Sequence, residues 1–175
     1  FSSEASASAQ EIAAAVQDTK DVFAVPPSLV LAVIKQESAF DPRAESACGA
    51  RGLMQVMPFN AKKLGLTSAE ELWDPRLNIL AGVRLLAVLL KHYEGDVIAA
   101  LVAYNSGPKA KGAAIPQNGE TPEYVLRILG YWRTFSIPSS HRVRKPLLRR
   151  ISRMTAGSES AQMAATSGSS GPMSP

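Results

Sequence analysis

The sequence predicts a mainly α-helical domain with one short irregular or β-like segment, and three features of the chain carry that expectation. Apolar residues recur at helical spacing through most of it, proline and glycine stand where helices begin and end, and no run keeps the two-residue alternation of a strand. At 175 residues the chain is long enough to bury a core without covalent staples.

The elements follow in order. An alanine-rich, weakly amphipathic helix is expected over Ala9 to Phe23, in an N-terminal segment 1–24 that packs on the rest. Pro26 and Pro27 interrupt it, and Ser28 to Ala39 reads as a second helix with proline in its first turn, ended by Asp41-Pro42. "SACGARGLMQV" has two glycines and no helical period, so it is a loop or a short β-like piece. Pro58 starts a short helix to Leu64, with Gly65 in the terminating position. Asp74 is an N-cap and Pro75 a first-turn residue for a long apolar helix closed by Gly95, the expected central helix of the domain. Asp96 caps the next helix, which stops at "NSGP", and Thr121 and Pro122 open the last one. The main domain spans 25–135, a basic segment able to form a helix covers 136–154, and a flexible Ser/Gly/Ala/Thr/Pro tail fills 155–175.

Charge and composition narrow the functional classes. Arg142, Arg144, Lys145, Arg149, Arg150 and Arg153 hold six of the nineteen basic residues, which leaves thirteen bases against fifteen acids, about −2, elsewhere. The net charge of +4 thus belongs to one segment. A solvated surface or an anionic or protein partner fits that run. No aromatic interleaving or known motif points to nucleic acid. The single cysteine, Cys48, permits no intrachain disulfide, and two histidines forty-nine residues apart argue against a structural metal site. No apolar window reaches the length of a transmembrane span, since Arg84 and Lys91 interrupt the longest candidate. The chain begins with Phe1 and shows no secretory signal, which reads as a processed or trimmed product.

One residue breaks the pattern. In "VLAVIKQESAF" Glu37 lies three, four and seven residues after Ile34, Val33 and Val30, on the face that should be core. On position alone it reads as a helix-end carboxylate reaching water. Burial against those neighbours would instead raise its pKa and make it a proton donor near neutral pH. Gln55 and Met57 alternate, so an extended segment would turn both to one side; the opposing reading makes Leu53, Met54 and Met57 core filler. Ser38 reads as an ordinary late-helix residue able to hydrogen-bond nearby, and "AYNSGP" places Tyr104 and Asn105 at a helix end.

Taken together, "PPSLVLAVIKQESAFDP", "SACGARGLMQVMP", "NILAGVRLL", "AALVAYNSGP" and "ETPEYV" resemble the catalytic domain of the soluble lytic transglycosylase family, relatives of goose-type lysozyme, from about Pro26 to Tyr131. The resemblance implies a lysozyme-like fold and cleavage of peptidoglycan glycan strands between N-acetylmuramic acid and N-acetylglucosamine. It implies Glu37 as catalytic acid, and Ser46, Gln55 and Met57 as sugar-contacting or cleft-wall residues. By the same resemblance Tyr104, Asn105, Glu120 and Tyr124 are further cleft residues, with Ser38 and Met54 in support. The family usually carries Ala at Ser106 and an aromatic at Leu85, and Leu85 bears on the cleft floor.

Ordinary glycosidases use two carboxyl groups. Here Asp41 is better explained as a turn and Glu45 as solvated; Glu120 is the one serious candidate for a partner, and the resemblance gives it a substrate-positioning role. The implied chemistry needs no partner carboxylate, metal or cofactor: Glu37 protonates the leaving oxygen, the substrate acetamido group supports the cationic centre, and Glu37 then takes the C6 hydroxyl proton to close a 1,6-anhydro ring. A muramidase of the same fold and a non-catalytic peptidoglycan-binding scaffold are the alternatives. A wall substrate implies the periplasm or the exterior. Enzymes of this kind serve secretion, conjugation or flagellar machines, so the basic segment is a candidate docking element.

Overall fold

The computed structural model describes residues 9–106 and 120–137. The basic segment from Arg142 to Arg153, the tail after it and the loop 107–119 lie outside the described residues. Five helices carry the fold: α1 (Ala9–Phe23), α2 (Pro27–Ser38), α3 (Pro75–His92), α4 (Val97–Ser106) and α5 (Glu120–Ser136). Between α2 and α3 the chain makes three 3-10 turns, Pro58–Asn60, Lys62–Leu64 and Glu70–Trp73. The expected short helix from Pro58 to Leu64 is therefore two separate tight turns, because Ala61 restarts the chain between them.

α2 is the buried axis. Leu29, Val30, Ala32, Val33 and Ile34 are all inaccessible, so both flanks of this helix are covered. α5 and α1 both pack against it, and the Trp132 indole N–H of α5 donates to Ser28 Oγ of α2 at 3.0 Å. On α1, Ile12, Ala15 and Val16 face the core, and Asp18 pairs with Arg76 of α3 at 2.6 Å on the surface. That exposed pair adds less than about 1 kcal/mol. Leu53, Leu72, Ile79, Leu86, Leu101 and Ile128 complete the centre.

The capping chemistry matches the sequence at α3 and α4. Asp74 Oδ1 accepts from the Arg76 and Leu77 amides at 2.9 Å, and Asp96 Oδ1 accepts from the Ala99 amide at 3.0 Å. α3 is only half the central helix expected of it. Its fully buried residues stop at Leu86 and Val88 is exposed, while Leu85, Ala87 and Leu90 are only partly buried against the core.

Two helix ends differ from the sequence reading. α2 stops at Ser38, before Ala39, and both Ala39 (φ 51°) and Phe40 (φ 72°) are left-handed. Two such residues in succession are costly without glycine, on the order of 1 kcal/mol each. Packing holds them: the Phe40 ring meets Phe135 of α5 edge-on with centroids 6.4 Å apart, and Lys35 lies over its face at 5.8 Å. The break leaves Glu37 in the last turn of α2. α5 begins at Glu120, so Thr121 is inside the helix rather than its N-cap. It is buried, and its hydroxyl donates to Asn105 Oδ1 at 3.3 Å, tying the start of α5 to the end of α4.

The segment between α2 and the first 3-10 turn is the β-like loop. Arg51 makes antiparallel bridges with both Glu45 and Val56, and Gly52 N–H donates to Ala44 O at 2.9 Å. The chain thus folds twice over itself within a dozen residues.

Candidate active site

Glu37 is brought to the core by α2 and met there by α5. Tyr124 of α5 is 6% exposed, and its hydroxyl donates to Glu37 Oε1 at 2.5 Å. Burial pushes the Glu37 carboxyl up to about 7, against a smaller lowering by the Tyr124 hydrogen bond. Its place at the negative end of the α2 dipole acts in the same direction as burial. Part of the Glu37 surface remains open, so the group is desolvated yet reachable. Tyr104 of α4 lies close enough to feel the same charge. Its phenol is held well above its ordinary pKa by burial and, second, by Glu37. The Tyr124 phenol is raised by burial first, then by the Glu37 charge and its hydrogen bond to Glu37, and last by Tyr104. Both tyrosines therefore remain neutral donors at any working pH.

The turn Gly52–Leu53–Met54 is clamped by one side chain from each of three helices. The Ser38 hydroxyl of α2 donates toward Leu53 O at 2.9 Å, with Ile34 O also in reach at 3.1 Å. The Tyr104 hydroxyl of α4 donates to Met54 O at 2.8 Å. Asn78 of α3 accepts from the Met54 amide at 2.8 Å and donates to Arg51 O and Leu72 O, both at 2.8 Å. Asn78 is completely buried and all three of its bonds go to backbone, so its burial leaves no polar group unsatisfied. Two glycines make room: a Cβ on Gly52 would stand 2.7 Å from Leu72 O, and one on Gly82 would stand 2.6 Å from Met54 Cβ.

The remaining sequence candidates separate into two groups. Ser46 and Gln55 have their polar groups engaged in the loop itself. Ser46 Oγ accepts from the Ala50 amide at 3.0 Å, and Gln55 Nε2 donates to Ala44 O at 2.9 Å and to Gly52 O at 3.0 Å. Gln55 is left-handed (φ 48°), which corrects the alternating reading of Gln55 and Met57. A turn, not a strand, passes through Gln55, because its amide folds back to close the loop. Met57 is extended and half-buried just before the first 3-10 turn. Asn105 is exposed at the end of α4. Glu120 opens α5, and its side chain lies outside the described residues.

Asn78 and Gly82 were not singled out by the sequence reading. Their signal was present: a lone amide, with a glycine one turn later, interrupts the apolar face of "NILAGVRLL". Neither of the two loop carboxylates considered earlier contacts Glu37. Asp41 accepts from the Arg43 amide in a local turn, and Glu45 lies 3.6 Å from Arg51. No group of three or more His, Cys, Asp or Glu among the described residues is arranged to hold a metal. Among the described residues the site thus presents one carboxyl that exchanges a proton near neutrality, two neutral phenols beside it, and a clamped turn.

Known proteins resemble this chain in sequence and fold. A transglycosylase of Enterobacteria phage PRD1 is 49% identical over 81 residues, covering 46% of this chain and 29% of its own length. The soluble lytic murein transglycosylase of Escherichia coli K12 is 36% identical over 91 residues, covering 48% of this chain and 14% of its own. The structure of an inactive glutamate-to-glutamine mutant of the lytic transglycosylase Slt from Pseudomonas aeruginosa superposes with a TM-score of 0.63 at 30% identity, over 70% of this chain and 23% of that one. The chain thus spans less than a third of the length of these relatives, and the shared part is the lysozyme-like helical domain. The family profile named transglycosylase SLT domain matches residues 14–126, and the chain belongs to that family.

Proposed function

We propose that the chain is a lytic transglycosylase that cleaves the β-1,4 bond between N-acetylmuramic acid and N-acetylglucosamine in peptidoglycan and leaves a 1,6-anhydromuramic end. The observation that carries this reading is the Glu37 carboxyl, buried, raised to about 7 and held by Tyr124. At neutral pH such a group is present in both forms, so it can give a proton and later take one back.

In the first step the Glu37 proton passes to the bridging oxygen as the bond from C1 breaks, and the substrate acetamido group supports the cationic centre. In the second, O6 bonds to C1 and its proton returns to Glu37. No water is consumed. Asp41 and Glu45 are each engaged within their own loop, which supports this one-acid route. The Pseudomonas relative, inactive with one glutamate changed to glutamine, supports a single decisive acid. In the same reading Met57 and Asn105, partly or fully open beside the loop and α4, contact the glycan, as does Glu120; Ser46 and Gln55 shape the loop that receives it.

Mass analysis of digested peptidoglycan tests the reaction. Muropeptides lighter by one water than their hydrolytic counterparts are expected. Mainly reducing ends would identify a muramidase of this fold instead, and an intact wall a scaffold module.

The substrate lies outside the cytoplasmic membrane, which assigns the protein to the periplasm or the exterior; no helix among the described residues is long and apolar enough to cross a membrane. The basic run Arg142–Arg153 is the proposed docking element for a secretion, conjugation or flagellar assembly. A chain ending at Phe135 should keep its wall-cleaving activity and lose that association; unchanged partner binding would remove the proposal.

A further inference from the structure

Asn78 is a fully buried polar residue of the core that the proposed reaction does not use. It lies on α3, and its bonds join two peptides of the loop turn, the Met54 N–H and the Arg51 carbonyl, to the Leu72 carbonyl of the last 3-10 turn. The Met54 peptide has two roles. Its N–H is held by Asn78, and its carbonyl is the acceptor of the Tyr104 hydroxyl at 2.8 Å. Tyr104 in turn stands within electrostatic reach of Glu37. The observed acceptor of that phenol is the peptide carbonyl, and the Glu37 carboxyl, whose charge acts on it, is the competing one. The stronger partner for a donor is the carboxylate.

We propose that Asn78 is a positioning residue: by fixing the Met54 peptide it keeps the Tyr104 hydroxyl on the Met54 carbonyl and off the Glu37 carboxyl. The consequence is a matter of proton affinity. A second donor on Glu37 would favour its charged form and pull its titration down. With Tyr104 held on the loop, Tyr124 from α5 is the one phenol that donates to Glu37 in this structure. Among the described residues no charged side chain contributes to the Glu37 shift: burial and Tyr124 account for it. On the neighbouring elements Arg51 is engaged by Glu45 and Glu70 of the loop region, and Asp18 of α1 by Arg76 of α3. Among the described residues the proton of Glu37 is therefore governed first by burial and then by the Tyr124 hydrogen bond, and the inference rests on the reading of Glu37 as the proton donor.

The test uses the full chain and two readouts, the titration of the Glu37 carboxyl carbon by NMR and the alkaline limb of peptidoglycan cleavage. Asn78→Ala frees the Met54 peptide, and Tyr104 then turns to Glu37. The Glu37 midpoint is expected to fall by about one unit, with the alkaline limb moving down alongside it. Activity should then fall about tenfold more at pH 8 than at pH 5. In the Tyr104→Phe background the same substitution is expected to leave the midpoint where it was.

A midpoint that does not move in Asn78→Ala, or a fall that persists without the Tyr104 hydroxyl, overturns the inference and makes Asn78 a packing residue only. A midpoint that moves while the activity limb stays fixed keeps the inference and removes Glu37 as the proton donor. Should Asn78→Ala fail to fold, Tyr104→Phe alone decides. An unchanged Glu37 midpoint is expected, and a rise means that the hydroxyl was already on the carboxyl and overturns the inference.

Discussion

Glu37→Gln is expected to lower peptidoglycan cleavage by about a thousandfold and, above neutral pH, to make the protein more stable. The loss follows from removing the proposed proton donor, a contribution of about 10² to 10⁴ for a positioned acid. The gain follows from the raised pKa. In the unfolded chain Glu37 titrates near its ordinary 4.5, whereas in the folded protein burial holds it at about 7. Below pH 4.5 both states carry the proton and the group costs nothing. As pH rises from there, the unfolded chain gives up its proton first, so stability falls until the folded group also ionises. Above neutrality the full penalty applies, at most about 3 kcal/mol and less in proportion to the open part of the side chain.

Glutamine keeps the shape and the Tyr124 contact without the charge. Its melting temperature should exceed that of the wild type by several degrees at pH 8 and match it at pH 4. Thermal unfolding at the two pH values, beside a cleavage assay, makes the measurement. Equal stability at pH 8 would mean that Glu37 is not desolvated, and retained cleavage would remove it from the chemistry.

How much of this arrangement is legible in the chain depends on the distance over which its parts act. Helix starts at Asp74 and Asp96 are local, since each side chain bonds an amide two or three residues away, and the sequence reads them directly. The misplaced Glu37 is also local, because helical spacing alone puts it on the apolar face. Its partner Tyr124 is not: eighty-seven residues separate the two, and no pattern within either helix announces the other. Tyr104 reaches fifty residues back to Met54, and only the resemblance of several motifs in order joined these groups in advance.

The errors share one cause. Ala39 and Gln55 were read by propensity and alternation, which favour a continued helix and an extended segment. Both are left-handed in the structure, Ala39 because the packing of Phe40 on Phe135 turns the chain, Gln55 because its amide folds back on Ala44. Tertiary contacts overrode local preference where the loop had to be brought beside Glu37.

Gly52→Ala is expected to cost about 2 to 5 kcal/mol, the largest loss of stability from adding one methyl group to this loop. Two effects add. Gly52 has φ 74°, a conformation that strains any residue with a Cβ. The added atom also has nowhere to go: it meets Leu72 O at 2.7 Å and Asn78 Cγ at 2.7 Å. The first is backbone, and the second belongs to an amide already bound on three sides, so neither can yield cheaply. Gly49, at φ 82° with nothing within 4 Å of its own Cβ position, separates the terms. Gly49→Ala carries the backbone strain alone, about 1 kcal/mol, and should leave cleavage nearly unchanged. Denaturant unfolding of the two variants gives the comparison. A deficit in Gly52→Ala that merely equals that of Gly49→Ala would mean that the Asn78 clamp yields. A much larger one, accompanied by lost activity, means that the turn beside Glu37 is held rigid by Asn78 and the Leu72 carbonyl, and that the position of Met54 and Tyr104 depends on it.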